Sequence, residues 1–265
     1  MSSRYALRFA ALGYLALLLG IPVTLVFINA FDEGIAAAWS AVTTPEAQHA
    51  FYLTAVMVAV AVPLNTIFGV LCALAIVRQR FRGRAVLNAL VDLPFAVSPV
   101  VVGLALLLVY NRRDGWAGEW LADHGVRIIF STPGMILATM FVSLPFVVRE
   151  VIPVLREIGT EQEQAAATLG AGGLQTFFRI TLPAIRWGVA YGVVLTTARA
   201  LGEFGAVSVV SGRISGETQT ATLFVEDRFE AFDQTGAYAA GVVLALLALV
   251  TLLAMNLIKP KEGQA

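Results

Sequence analysis

Six stretches of this chain, roughly 8–31, 51–77, 87–110, 133–155, 185–211 and 236–258, are apolar over lengths that a soluble core does not require. A hydrocarbon layer of about 30 Å asks for around 20 such residues in a helix. Inside lipid each backbone N–H and C=O must find a partner within the protein, so a spanning segment is a helix or part of a closed barrel. No segment alternates polar and apolar residues at period two, which removes the barrel. Hydrophobic residues make up 58% of the chain and charged residues 14%, against about 45–50% and 25% in soluble domains. The first run follows Arg4 and Arg8 and exceeds the 7–15 apolar residues of a signal peptide, so it reads as a retained span. The expected fold class is all-α integral membrane, one domain of six transmembrane helices over residues 1–265.

Basic residues set the orientation. With the N-terminus in the cytoplasm, Arg4, Arg8, Arg78, Arg80, Arg82, Arg84, Arg149, Arg156, Arg179, Arg186, Lys259 and Lys261 fall on or near the cytoplasmic side, and Arg112, Arg113, Arg127, Arg213 and Arg228 on the other. That asymmetry satisfies the positive-inside rule and places both termini in the cytoplasm. Prolines 22, 63, 94, 99, 145 and 153 lie in or near the spans, where neighbouring helices can re-satisfy the freed carbonyls.

Chemistry on this chain is hard to find. Cys72 is the only cysteine, so there is no internal disulfide, and His49 and His124 stand apart without a second metal ligand nearby. Lys259 and Lys261 are the only lysines, which leaves no phosphate-binding GxxxxGK[ST] loop. A membrane enzyme would show paired carboxylates, a Ser/Lys dyad or a histidine cluster, and a gradient-driven carrier usually has unpaired acids at mid-membrane; neither pattern is present. If ATP drives this protein, another chain binds it.

Between the fourth and fifth spans lies a cytoplasmic insert, residues 157–183, containing "EQEQAAATLGAGGLQTFFRITLP" from Glu161 to Pro183. Thr160 followed by Glu163 reads as a capping box. Ala165, Ala166 and Ala167 continue a small-residue helix, Gly170 is placed to end it in a left-handed cap, and Leu174, Phe177 and Phe178 give a second short helix an apolar face that Pro183 closes. Such a face seeks either a protein partner or the lipid headgroups. The spacing resembles the EAA loop of ABC-importer permeases, E-A-A-x₃-G-x₉-I-x-L-P, with Gln164, Ala165, Ala166, Gly170, Ile180, Leu182 and Pro183 on the motif positions. The resemblance implies a type I importer permease (MetI-like) fold in which these residues, with Glu163, form the coupling helix that seats on an ATPase. Gln164 stands where the family usually carries glutamate, so any ion pair that glutamate makes to the ATPase is in question.

Further along, "LPAIRWGVAYGVVL" and "TTARALGEFGAVSVVSGRISGETQT", Leu182 to Thr220, resemble sulfate/thiosulfate permeases of the CysW type; molybdate and tungstate permeases share a related "LGEFGA". The resemblance implies import by alternating access in a bacterial inner membrane. It implies no cofactor on this chain, ATP and Mg²⁺ held by two partner ATPase subunits, a second, CysT-type permease and an extracytoplasmic sulfate-binding protein. Lipid is the remaining partner, and nucleic acid is not one. Thr196, Arg199 and Glu203 fall on one face of the fifth span with Ala200 and Val207. Arg199 lies near mid-membrane, where a charge faces the bundle interior, and pairs with Glu203 at i,i+4. The pair either fastens the span to its neighbours or opens to a passing oxyanion. Ser98, in "PFAVSPVVVG", marks a broken helix that could line a cavity, and Asp92 reads as a helix-start residue.

Overall fold

A computed structural model describes residues 2–258; Lys259 and Lys261 lie outside the described residues. In chain order the helices are α1 (Ser2–Leu15), α2 (Ile21–Ala30), α3 (Ile35–Val42), α4 (Pro45–Arg78), α5 (Arg84–Ala96), α6 (Pro99–Tyr110), α7 (Gly118–Asp123), α8 (Thr132–Glu157), α9 (Glu161–Thr168), α10 (Gly173–Thr176), α11 (Leu182–Leu201), α12 (Val207–Val210), α13 (Ala221–Glu230) and α14 (Gln234–Ile258). Five helical segments are long and apolar enough to cross a bilayer: Leu7–Ala30, Pro45–Arg78, Thr132–Glu157, Gly173–Leu201 and Gln234–Ala254. The pair α5–α6, bent by 114°, supplies the sixth crossing. α4 and α8 run in the same direction, so the chain between them must return across the bundle once, and α5–α6 is the only apolar helical path available among the described residues.

The centre of the bundle is α4, α8 and α11. Between α4 and α8, Gly69 lies where a Cβ would come within 2.8 Å of Val147 Cβ. On the other side of the same residue, a Cβ on Gly192 of α11 would come within 2.7 Å of Val147 Cα, and one on Gly188 within 3.0 Å of Glu150 O. In lipid, close backbone approach through small residues replaces the hydrophobic effect as the source of helix association. Asn65 fixes the register of α4 on α8 by donating to Met140 O and Ser143 Oγ, both at 2.9 Å. Arg78, at the end of α4, reaches the last turn of α8. α11 runs antiparallel to both. α14 packs on α2, α11 and α13, while Leu7–Ala30 leaves most of its apolar surface uncovered by this chain.

The expected bounds shift at four places. The second span begins at Pro45, because Thr44 caps it, its Oγ1 accepting from Ala47 N–H at 3.2 Å. The third breaks at Val97 and Ser98, ahead of Pro99. The fifth ends at Leu201 rather than 211: Gly202 leaves helical geometry, Glu203 to Ala206 form a turn, and α12 is a separate short helix. Pro183 does not close a helix. A π-helical turn, Phe177–Thr181, lets Leu182 N–H reach back to Phe177 O, and the helix runs on from Gly173 into α11 through the proline. The same device precedes Pro22, where Ile21 N–H reaches Ala16 O. The i→i+5 register takes up the mismatch that a missing proline N–H would otherwise leave.

At the end of the bundle opposite Arg78, Ser211–Thr220 folds back on itself. Ser211 Oγ donates to Thr218 O at 2.6 Å, and Thr218, Gln219 and Thr220 are buried. Gly192→Val should overpack the contact with Val147 by about 1–3 kcal/mol, lowering the thermal unfolding midpoint in detergent by roughly 3–10 °C. Gly241→Ala, with nothing within 4 Å of the added carbon and a better helix former inside α14, should not lower it.

Candidate functional site

The insert projects from the Arg78 end of the bundle. α8 stops at Glu157, Gly159 takes φ +63°, and α9 begins at Glu161. Gly170, at φ +87°, ends α9 in a left-handed cap as its position suggests. Gly170 N–H donates to Ala167 O and Ala171 N–H to Ala166 O, both at 3.0 Å, the paired bonds of a Schellman motif. The capping box does not form. Thr160 Oγ1 instead accepts from Gln164 Nε2 at 3.0 Å, and Glu163 is drawn inward: Oε2 lies 2.9 Å from Arg78 Nε, off the linear hydrogen-bond direction, and Oε1 accepts from Thr181 Oγ1 at 2.8 Å. Glu163 therefore faces its own chain, not the exterior.

The outward surface carries three large apolar side chains among the exposed polar Glu161, Gln162, Gln164, Gln175 and Arg179. Leu169 is 89% exposed, Leu174 77% and Phe178 61%. Phe177 departs from the expected aromatic face: it packs against the core around Leu155 and Ile185, edge-on to Phe178. Gln164, Ala165, Gly170 and Pro183 are exposed, Ile180 and Leu182 are half-buried, and Ala166 is buried. Ala166, Leu169, Gly170, Arg179 and Ile180 help line a shallow hollow of about 440 Å³.

Deeper in the bundle, Arg199 Nη1 stands 2.7 Å from Glu203 Oε2. The helix has already ended at Leu201, so this is a bond between its last turn and the following loop, and Val207 belongs to α12 rather than to a shared face. Glu203 is nearly sealed, its side chain 1% exposed, while Arg199 keeps 30%. Glu203 Oε1 also accepts from Ala206 N–H at 2.9 Å, and its carbonyl accepts from Thr222 Oγ1 at 2.8 Å. Thr196 is fully buried with its hydroxyl unpaired. Ser98 is exposed at the bend and makes no capping bond. A Cβ on Gly205 would come within 3.0 Å of Pro99 Cβ, so the two breaks pack together and the Ser98 bend lies beside the Glu203 turn.

Besides Arg78 with Glu163, a second cross-helix ion pair escaped the sequence reading. Asp92 does not start a helix; it lies inside α5 and binds Arg149 of α8 through both oxygens, with Arg149 Nε donating to Oδ1 at 2.7 Å and Nη2 against Oδ2. Arg149, counted above with the cytoplasmic side, lies deeper than that reading placed it, about 12 Å along α8 from Glu157 at 1.5 Å per residue. Two partners 57 positions apart leave no local signal; an acid within an apolar run was the one available hint.

The profile of the binding-protein-dependent transport system inner membrane component family matches residues 65–264. The chain belongs to this family. It is 51% identical to the sulfate transport system permease protein CysW of Synechocystis sp. over 98% of this chain and 94% of the relative. Identity to CysW of Escherichia coli K12 is 46%, over 92% and 84%. The sulfate transport system permease protein CysT of Synechococcus elongatus is 40% identical over 92% and 87%. A crystal structure of a bacterial ABC transporter that imports the acidic polysaccharide alginate superposes with a TM-score of 0.81 at 20% identity, covering 98% of this chain and 96% of that one. That likeness fixes the permease fold, and the chain is a multi-pass membrane protein.

For a permease of this family two outcomes follow from the geometry. Arg199→Ala strands a sealed carboxylate, on the order of 3–5 kcal/mol, and should cut the yield of monodisperse protein in detergent; Arg199→Met with Glu203→Gln should restore it. Gly170→Pro cannot adopt φ +87° and should abolish transport while membrane insertion, read by protease protection, stays normal.

Proposed function

We propose that this chain is the CysW-type pore subunit of an ATP-driven importer that carries sulfate and thiosulfate into the cytoplasm by alternating access. The observation that carries the reading is the insert: a Schellman-capped α9 with uncovered apolar side chains, linked through Gly159 to α8 and through Gly170 to the helix that runs from Gly173 into α11. The identity to CysW proteins, higher than to CysT, supports the subunit type and the sulfate class over molybdate or tungstate.

The insert, the arginines of the α4–α5 loop and both termini lie in the cytoplasm, with Ser211–Thr220 on the opposite side of a bacterial inner membrane. Two ATPase subunits hold ATP and Mg²⁺. One receives the surface of Gln164, Ala165, Gly170, Leu174 and Phe178, with Ala166 and Ile180 lining the hollow beside it and Leu182 and Pro183 carrying the helix on into α11. A CysT-type permease completes the pore, and an extracytoplasmic sulfate-binding protein delivers the anion. Closure of the ATPases moves α9, and α8 and α11 carry that movement across the membrane. At the paired helix breaks, Glu203 fastens the turn while the exposed part of Arg199, with Ser98, faces the pathway; Thr196 backs it. A single weak cation suits conduction, since a tight site would not release the anion.

The experiment is uptake of radiolabelled sulfate by cells lacking this chain, with and without its restoration. Restored uptake, competed by thiosulfate and not by trace molybdate, is the expected result. Unchanged sulfate uptake with molybdate accumulation lost would overturn the substrate and leave the architecture standing.

A further inference from the structure

α9 is flanked by glycines. Gly159 stands before it at φ +63°, and Gly170, Gly172 and Gly173 follow it, with no atom within 4 Å of a Cβ built at any of the four. A helix hung between such residues would swing when pushed, and its displacement would be lost in the hinges. One side chain prevents this. Arg78, the last residue of α4, donates from Nη1 to Leu155 O at 3.0 Å and from Nη2 to Gly159 O at 2.6 Å, while Nε faces Glu163 of α9. Leu155 O belongs to the final turn of α8, whose carbonyls have no helical donor of their own. Glu163 passes the connection on to Thr181, buried at the entrance to α11. The guanidinium and carboxylate are both mostly covered, at 14% and 22% exposure.

We propose that Arg78 is the positioning residue of energy coupling: with Glu163 and Thr181 it clamps α9 to the ends of α4, α8 and α11, so that these move as one body. This rests on the importer reading above. The charge beside the motif position is thereby assigned to the permease itself rather than to the ATPase. A planar fork with donors in three directions suits the task, and a lysine's point charge does not.

The test uses the complete complex with its ATPases, partner permease and binding protein in proteoliposomes, recording sulfate uptake and ATP hydrolysis in the same vesicles. Arg78→Gln should lower uptake roughly tenfold, the effect expected from losing charge-assisted hydrogen bonds, with hydrolysis largely kept, so that more ATP is spent per sulfate. Arg78→Lys should recover only part of the loss. Glu163→Gln should be milder, because Thr181 can still donate to the amide oxygen. Uptake and hydrolysis falling in proportion, or neither changing, would overturn the clamp.

A second measurement does not depend on the substrate or on the variant's activity. Spin labels at Gln79→Cys and Gln162→Cys, both exposed, in a Cys72→Ser background, should give a narrow distance distribution that Arg78→Gln broadens. An unchanged distribution would sink the proposal. Wild-type vesicles without sulfate uptake would instead count against the importer's substrate, with the label distances still judging the clamp.

Discussion

Val147 lies between two glycines, Gly69 of α4 and Gly192 of α11, and the rest of the bundle is built around that contact. Lipid tails are as apolar as leucine, so helices in a membrane gain little from burying leucine against leucine; they gain from close fit and from hydrogen bonds that have nowhere else to go. The glycines bring α4 and α11 onto α8 at backbone distance. Asn65, buried and bonded to Met140 O and Ser143 Oγ, then fixes the register of α4, since a slip along the helix would leave its amide unpaired. These three helices form one tightly packed block that runs from one end of the bundle to the other. The other spans, less covered by this chain, are free to meet lipid or partner subunits.

Tight packing in the block is set against deliberate interruption beside it. α5–α6 bends at Val97 and Ser98, and α11 gives way to a turn at Gly202. Non-helical backbone at membrane depth is tolerated only where protein covers it or water lines it. The breaks pack against each other through Gly205, and each has an ion pair close by, Arg199 with Glu203 and Arg149 with Asp92. Charges and open backbone thus gather at the two interruptions, with Arg149 only two residues from Val147 on α8. They leave a polar surface in this chain that cannot face lipid.

Hydropathy made the six crossings legible, and Gly170 announced its own cap because a left-handed residue at a helix end is nearly a glycine monopoly. What stayed hidden depends on partners distant in sequence. Arg78 meets Gly159 and Glu163, and Asp92 meets Arg149, across separations that no local pattern encodes. The capping box at Thr160 failed for the same reason: Glu163 had a stronger claimant in Arg78. Two breaks did leave traces. Gly202 and Gly205 bracket the turn that ends α11, and Ser98-Pro99 marks the bend, but apolar neighbours on either side masked the first as continuous span. Pro183 misled because a π turn can carry a helix through a proline, and such a turn has no sequence signature of its own.

The departure at Gln164 takes on a physical meaning in this setting. The motif glutamate would offer an ATPase one exposed charge, and an exposed ion pair contributes about 0.2–1 kcal/mol. Gln164 instead folds back to Thr160, and the neighbouring Glu163 is neutralised by Arg78. The large apolar side chains that remain outward are Leu169, Leu174 and Phe178, and full burial of such side chains stabilises by about 1.5–3 kcal/mol each. On the proposed reading, apolar burial in the ATPase cleft therefore outweighs the missing ion pair several times over. The charge that matters in this loop is the one turned inward, where it holds α9 to the spans that α9 must move.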